Sequence, residues 1–355
     1  MNFRSIESSK NRLRACYRQA LSVLVLLVLA AILASVARAS AEEDPQEMEN
    51  WGSTACSTAS GVEAKALTPI HPFFVAPASS YGTGGTALRN RGAGSISISG
   101  VVAPVKATFI YWAVISAGAP PAAATKIRLQ REFPLPASAV VILAGAVVGV
   151  GAPPCWPGNV VTVFRAVVPP AVATGNGLYE VTLLPGAAGT VNGADPWLAI
   201  RLPLWEGTSM VMVGTGAGTV SIYDGGLAGN TFTANIAFPY TLVLPVPAPG
   251  LRTLFDNIGA DGQHVLGRSR LDVPTMSNEI TTINGFLTAG PGSAYSDSDW
   301  NGSSGLPVPE LWDDTGHDIT PAAPAGTPAL NVVIFNGGGA PADCLTPVAN
   351  VVETD

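Results

Sequence analysis

Residues 297–302 read Asp-Ser-Asp-Trp-Asn-Gly. Asp297, Asp299 and Asn301 set oxygen donors at alternating positions, and Gly302 permits the sharp turn that follows. This is how a calcium-wrapping loop opens. The continuation departs from that pattern. The twelfth position is Val308, where an EF-hand loop carries a bidentate carboxylate, and Glu310 comes two residues late. No helical periodicity flanks the segment. Asp297, Asp299 and Asn301 are therefore candidate ligands for a structural calcium whose shell is completed by backbone carbonyls, and a solvated loop is the competing reading.

The remaining chemistry is sparse. The chain has three histidines, His71, His264 and His317. Only His317 sits among carboxylates, with Asp313, Asp314 and Asp318, and we expect that cluster to be a polar turn that buries Trp312. There is no Gly-x-Ser-x-Gly elbow, no His-Glu-x-x-His and no Cys-x-x-Cys. Gly82-Thr83-Gly84-Gly85 lacks the Gly-Lys-Ser/Thr ending of a phosphate loop and is expected to be a mobile loop. Glycoside hydrolysis needs two carboxylates facing across a cleft. Glu310 with Asp299, or Glu180 with Glu206, would supply the residue types, but spacing selects neither pair. Trp156, Trp197, Trp205, Trp300 and Trp312 lie near Gly/Pro-rich segments. They form either a sugar-binding face or plugs at the ends of a sandwich. No residue is nominated as catalytic.

The chain has 355 residues, with 18 Lys+Arg against 25 Asp+Glu. Residues 1–39 hold a basic head, an apolar run from Leu21 to Ala37 and a small-residue exit, Ala37-Arg38-Ala39. These are the three parts of a secretory signal. An uncleaved anchor is the alternative, because the run approaches the ~20 residues that span a bilayer. Removing residues 1–39 takes away six basic residues and one acidic residue, which leaves a net charge of −12. No basic stripe remains, so nucleic acid is not an expected partner, and no stable membrane span is expected after cleavage. Residues 40–62 read as a flexible acidic lead-in. Cys56, Cys155 and Cys344 follow the signal. Export permits a disulfide, and three thiols give one intramolecular bond with one left over. Cys155–Cys344 is the pairing we favour, although spacing alone leaves the choice open.

These residues need a scaffold, and residues 63–355 read as an all-β unit. Apolar residues make up 47% of the chain and charged residues only 12%, punctuated by 39 Gly and 30 Pro. That composition builds a core rather than a disordered segment. Ser95–Ser99 alternates with period two. Lys106–Ser116 is apolar on both faces and is expected to be a central strand. Further strands are expected over Ala124–Gln130, Ala139–Val150, Val160–Val168, Leu178–Leu184, Thr241–Val246 and Ala329–Phe335. Ser209–Val213 and Thr219–Tyr223 are expected to form a hairpin. Asn176-Gly177 is a turn. Pro245, Pro247 and Pro249 mark the clearest internal break, near 246–250. The fold class expected is an antiparallel β-sandwich of jelly-roll type, with room for a second smaller β-sandwich subdomain after the break.

Short segments in a fixed order support a family resemblance. They include Ala87-Leu88-Arg89-Asn90-Arg91-Gly92, Phe109-Ile110-Tyr111-Trp112, Cys155-Trp156, Asn176-Gly177-Leu178-Tyr179 and Ile222-Tyr223-Asp224-Gly225. Gly259-Ala260-Asp261-Gly262-Gln263, Leu311-Trp312-Asp313, Asp318-Ile319-Thr320 and Asp343-Cys344-Leu345 follow. Across roughly 85–350 the chain resembles a family of exported bacterial and archaeal surface proteins known for a β-rich domain of unknown function. The resemblance implies a sandwich-like extracellular module with no assigned activity, and it carries over no catalytic residue. The expected function is a secreted, periplasmic or surface-exposed structural or adhesive module without catalysis, recognising another surface protein or a glycan through loops on a rigid frame. A carbohydrate-active hydrolase and a carbohydrate-binding module are the alternatives. A hydrolase requires facing carboxylates, a binding module an exposed aromatic row, and a structural module buried rings.

Overall fold

A computed structural model describes residues 69–193, 201–233, 236–260, 279–289, 300, 311–336 and 344–355. The signal-like segment, the acidic lead-in and Cys56 lie outside these residues. The strands are β1 (Phe74–Ala87), β2 (Ala93–Ile98), β3 (Val102–Ser116), β4 (Lys126–Phe133), β5 (Val141–Ala144) and β6 (Ala146–Gly151). Next come β7 (Val160–Val167), β8 (Gly177–Leu183), β9 (Leu204–Thr215), β10 (Gly218–Tyr223), β11 (Ile236–Val243) and β12 (Thr253–Ala260). The last are β13 (Glu279–Ile283), β14 (Phe286–Ala289), β15 (Trp312–Asp318), β16 (Ala329–Asn336) and β17 (Thr346–Thr354). The described residues contain a short 3₁₀ turn at Thr320–Ala322 and no α-helix. No helix among them is long and apolar enough to cross a membrane.

The architecture is an antiparallel, multi-sheet β-sandwich that does not close into a barrel. A nine-stranded sheet runs β15-β12-β17-β10-β1-β9-β3-β7-β6. Two four-stranded sheets, β2-β8-β4-β5 and β11-β16-β13-β14, pack against it. Side-chain alternation explains the layering. In β3, Ile110, Trp112 and Val114 enter a core shared with Ile96, Ile127, Tyr179 and Val181 of the first small sheet. The intervening Phe109, Tyr111, Ala113 and Ile115 enter a different core on the opposite face. Both faces of β3 are therefore apolar, as its sequence demands. The second small sheet contributes Phe238, Tyr240, Leu242, Leu330, Val332 and Ile334 to another core, which the large sheet meets with Tyr223, Phe255 and Val352.

The core on the remaining face of the large sheet joins residues from both of its ends. Val163 and Val211 pack in one cluster with Ile258, Trp312 and Val351. The sheet therefore curls over itself, and glycine makes the curl possible. A Cβ on Gly207 would fall inside the Trp312 indole, and one on Gly85 would sit 3.0 Å from it.

Several expectations need correction. Gly82–Gly85 is not a mobile loop but part of β1. A Cβ at Gly82 would strike the Ser99 carbonyl and one at Gly84 the Ser97 carbonyl, so the glycines allow β2 to cross close above β1. Ser209–Val213 and Thr219–Tyr223 do not form a hairpin. β1 runs between β9 and β10, pairing Phe74–Ala76 with β10 and Ser79–Ala87 with β9. Ala78, at φ 51°, marks the change of partner within β1. The single run expected over Ala139–Val150 is two strands in two sheets. At the bend between them, Gly145 has no room for a Cβ beside Trp112 and Phe164. Across the proline-rich stretch near 246–250, β11 before it pairs with β16 after it.

Candidate functional site

The calcium-loop candidates Asp297, Asp299 and Asn301 lie outside the described residues. The tryptophan between them does not. Trp300 is fully buried and meets Phe232 edge-on, with ring centroids 6.3 Å apart. A Cβ on Gly259 of β12 would overlap its ring. Trp300 thus belongs to the second core. Among the described residues, no group of three or more His, Cys, Asp or Glu is placed to hold a metal.

The Asp313–Asp318 cluster is strand β15, not a polar turn, and alternation divides it. Asp314 lies opposite Ile258, on the face of the curled core, whereas His317 lies opposite Phe255, on the face of the second core. Histidine and carboxylate therefore do not converge. Instead Asp314 meets the Asp256 carboxylate of another strand, and both of them and Glu353 act on Tyr81. Asp256 (β12) and Glu353 (β17) share its face, and Tyr81 (β1) hydrogen-bonds Asp256. Burial, and then the Asp256 charge, push Asp314 up to about 7. The nearby Ser209 and Thr83 hydroxyls favour the ionised form and oppose that shift. Glu353 is raised by burial and by Asp355. Tyr81 is held well above its ordinary value by burial and by these carboxylates. A carboxyl that titrates near neutrality has the property a general acid needs. Both Asp314 carboxylate oxygens, however, are shielded from solvent. The set lies inside the curl of the sheet rather than across an open cleft.

The nominated hydrolase pair Glu180 and Glu206 is not brought together. Glu206 is fully buried at an irregularity in β9 and forms an ion pair with Arg89, which is buried with it. Glu180 lies on β8 between the core-facing Tyr179 and Val181, on the opposite face of the small sheet. Glu310 and Asp299 fall outside the described residues. A second buried ionic group, missed in the sequence, joins Arg165 to Asp224, which also accepts from Tyr111 Oη at 3.1 Å. Burial raises Asp224, while Arg165 and Tyr111 oppose the shift. The Arg165 guanidinium lies 3.7 Å from the Phe73 ring centre. The sequence signal available for Asp224 was its place at the end of a β-rich run, Val220–Tyr223, where a charge is unusual.

Among the described residues, most of these tryptophans are turned inward rather than laid out as a row. Trp205 stacks on Trp112 at 5.9 Å with planes 4° apart, and its Nε1 donates to Ala187 at 3.0 Å. Trp312 Nε1 donates to Ser209 Oγ at 2.8 Å. Trp205, Trp300 and Trp312 are all fully buried. Trp156 is half-buried beneath the Arg89 guanidinium, 5.3 Å from its ring centre. Trp197 is outside the described residues. Beside Trp156, Cys155 and Cys344 form a disulfide across 189 residues. The pairing favoured from the sequence is the one formed.

No protein-family model and no curated protein matches the chain. Two solved structures show a distant likeness. The ANX2 ectodomain from Arabidopsis thaliana has a TM-score of 0.24 at 8% identity, covering 79% of this chain and 89% of that one. The ANXUR2 extracellular domain from Arabidopsis thaliana has a TM-score of 0.25 at 6% identity, covering 78% and 83%. With scores this low, the fold is read from the chain's own strands and neither neighbour informs its function.

Proposed function

We propose that the chain works outside the cytoplasm as a rigid structural or adhesive β-module without catalysis. The observation that carries this reading is the Cys155–Cys344 disulfide. Such bonds persist in oxidising compartments, which agrees with the signal-like first 39 residues. In the chain-entropy account, closing a loop of this length stabilises the fold by about 5 kcal/mol. The buried tryptophans and the enclosed acidic set support a structural rather than a hydrolytic reading, as does the resemblance to exported surface domains. Recognition then falls to the loops, and the partner is another surface protein or a glycan. Calcium at Asp297, Asp299 and Asn301 would serve as a structural tie beside the buried Trp300.

Thermal unfolding of the purified chain tests both parts. Reducing Cys155–Cys344 should lower Tm by about 10 °C, taking about 2 °C per kcal/mol for a chain of this size. Calcium should raise Tm, EGTA should reverse the rise, and Asp297→Ala/Asp299→Ala should abolish the response. A Tm indifferent to reductant would remove the disulfide from the account. A Tm indifferent to calcium would remove the metal and leave the module.

A further inference from the structure

The outer edge of β5 combines features that soluble proteins normally keep apart. β5 ends the sheet β2-β8-β4-β5, and β6, which follows after one residue, ends the nine-stranded sheet. Among the described residues no strand pairs with the outer side of either. The side chains beside these edges are apolar and exposed, with Val140 50%, Ile142 55%, Val147 56% and Val150 61% accessible. At the end of β4, Phe133 and Leu135 are 60% and 77% exposed. From Phe133 to Phe164 the sequence contains no charged residue. Natural edge strands are usually protected by lysine, proline or inward charges. β5 has none of these, and its register with β4 is regular from Lys126 to Leu129.

We propose that the outer edge of β5 docks a second copy of this chain, strand to strand and antiparallel, about a twofold axis near Ile142. Three arguments select that occupant. An open strand edge presents backbone donors and acceptors, which another strand satisfies and lipid cannot. The chain carries a formal charge of −7, so two copies repel over most of their surfaces and can meet without opposed charges along this neutral stretch. An antiparallel edge is also self-complementary under twofold symmetry, so one strand supplies both halves of the contact. Of the six exposed side chains, Val140 and Ile142 lie at β5 itself, and Val147 and Val150 of β6 and Phe133 and Leu135 after β4 lie on neighbouring segments. The dimer would join two four-stranded sheets into one of eight strands. This inference is independent of where the chain is located.

Sedimentation equilibrium of the purified chain, with hydrogen exchange across a dilution series, tests it. The expected result is a dimer whose amides at 140–144 exchange more slowly as concentration rises. Ile142→Lys and Val140→Lys should each weaken dimerisation at least tenfold, and Val191→Lys, at a residue 54% exposed elsewhere, should not. Far-UV circular dichroism confirms that the variants fold. If they do not, the exchange of the unmodified chain decides. The proposal is overturned by a monomer up to about 0.5 mM, beyond the range of weak interfaces. A dimer unchanged by both lysines, or a monomer that binds neutral lipid vesicles through this edge, also overturns it.

Discussion

Asp314 shows how one residue can matter more for stability than its sequence neighbours imply. Its carboxyl is lifted to about 7 by burial and by Asp256. The sign follows from linkage. The folded chain keeps this proton up to about pH 7, whereas the unfolded chain releases it near 4. Stability from this group therefore rises as pH falls from about 7 toward 4 and is lost as pH rises through 7. Above pH 7 the charged form costs roughly 4 kcal/mol. Asp314→Asn should raise Tm by at least about 5 °C at pH 8, change it little at pH 4.5 and flatten the slope between them. A variant that melts lower at pH 8 with its slope unchanged would show that Asp314 is stabilised as an anion. The sequence displayed Asp313, Asp314, His317 and Asp318 as one cluster because it lists neighbours. A strand separates them by alternation, and the groups that act on Asp314 are Asp256 of β12, Ser209 of β9 and Thr83 of β1. No local pattern encodes that meeting.

At the scale of elements, what was legible followed from periodicity. β2, β3, β7, β8 and β16 carry uninterrupted alternation or two apolar faces, and they lie where those patterns place them. β12, β15 and β17 escaped notice because buried polar residues break the pattern. Asn350 of β17, for example, accepts from Tyr240 of the facing sheet and donates its Nδ2 to Asn257 of β12 beside it. The glycines of β1 were misread because a strand that another backbone crosses closely has the composition of a loop. The curl of the large sheet depends on one such contact, Trp312 of β15 lying on Gly207 of β9. Gly207→Ala should destabilise the chain by about 2 kcal/mol through overpacking. Combined with Trp312→Leu, the loss should be clearly less than additive when measured by urea unfolding. Additive losses would mean that the curl does not depend on this contact.

At the scale of the molecule, two small sheets share one curled sheet, and a disulfide ties the segment after β6 to the segment before β17. Such a frame resists deformation. Its chemically suggestive groups are turned inward: Arg89 with Glu206, Arg165 with Asp224, and Asp314 with Asp256. Peptide mapping distinguishes the proposed exported, disulfide-closed module from a cytosolic protein. The full-length chain would be expressed, the cells fractionated and the non-reduced protein analysed by mass spectrometry. The expected result is an extracytoplasmic protein that begins near Ser40 and yields a linked Cys155–Cys344 peptide. A cytosolic protein retaining residues 1–39, with both thiols free, would contradict it.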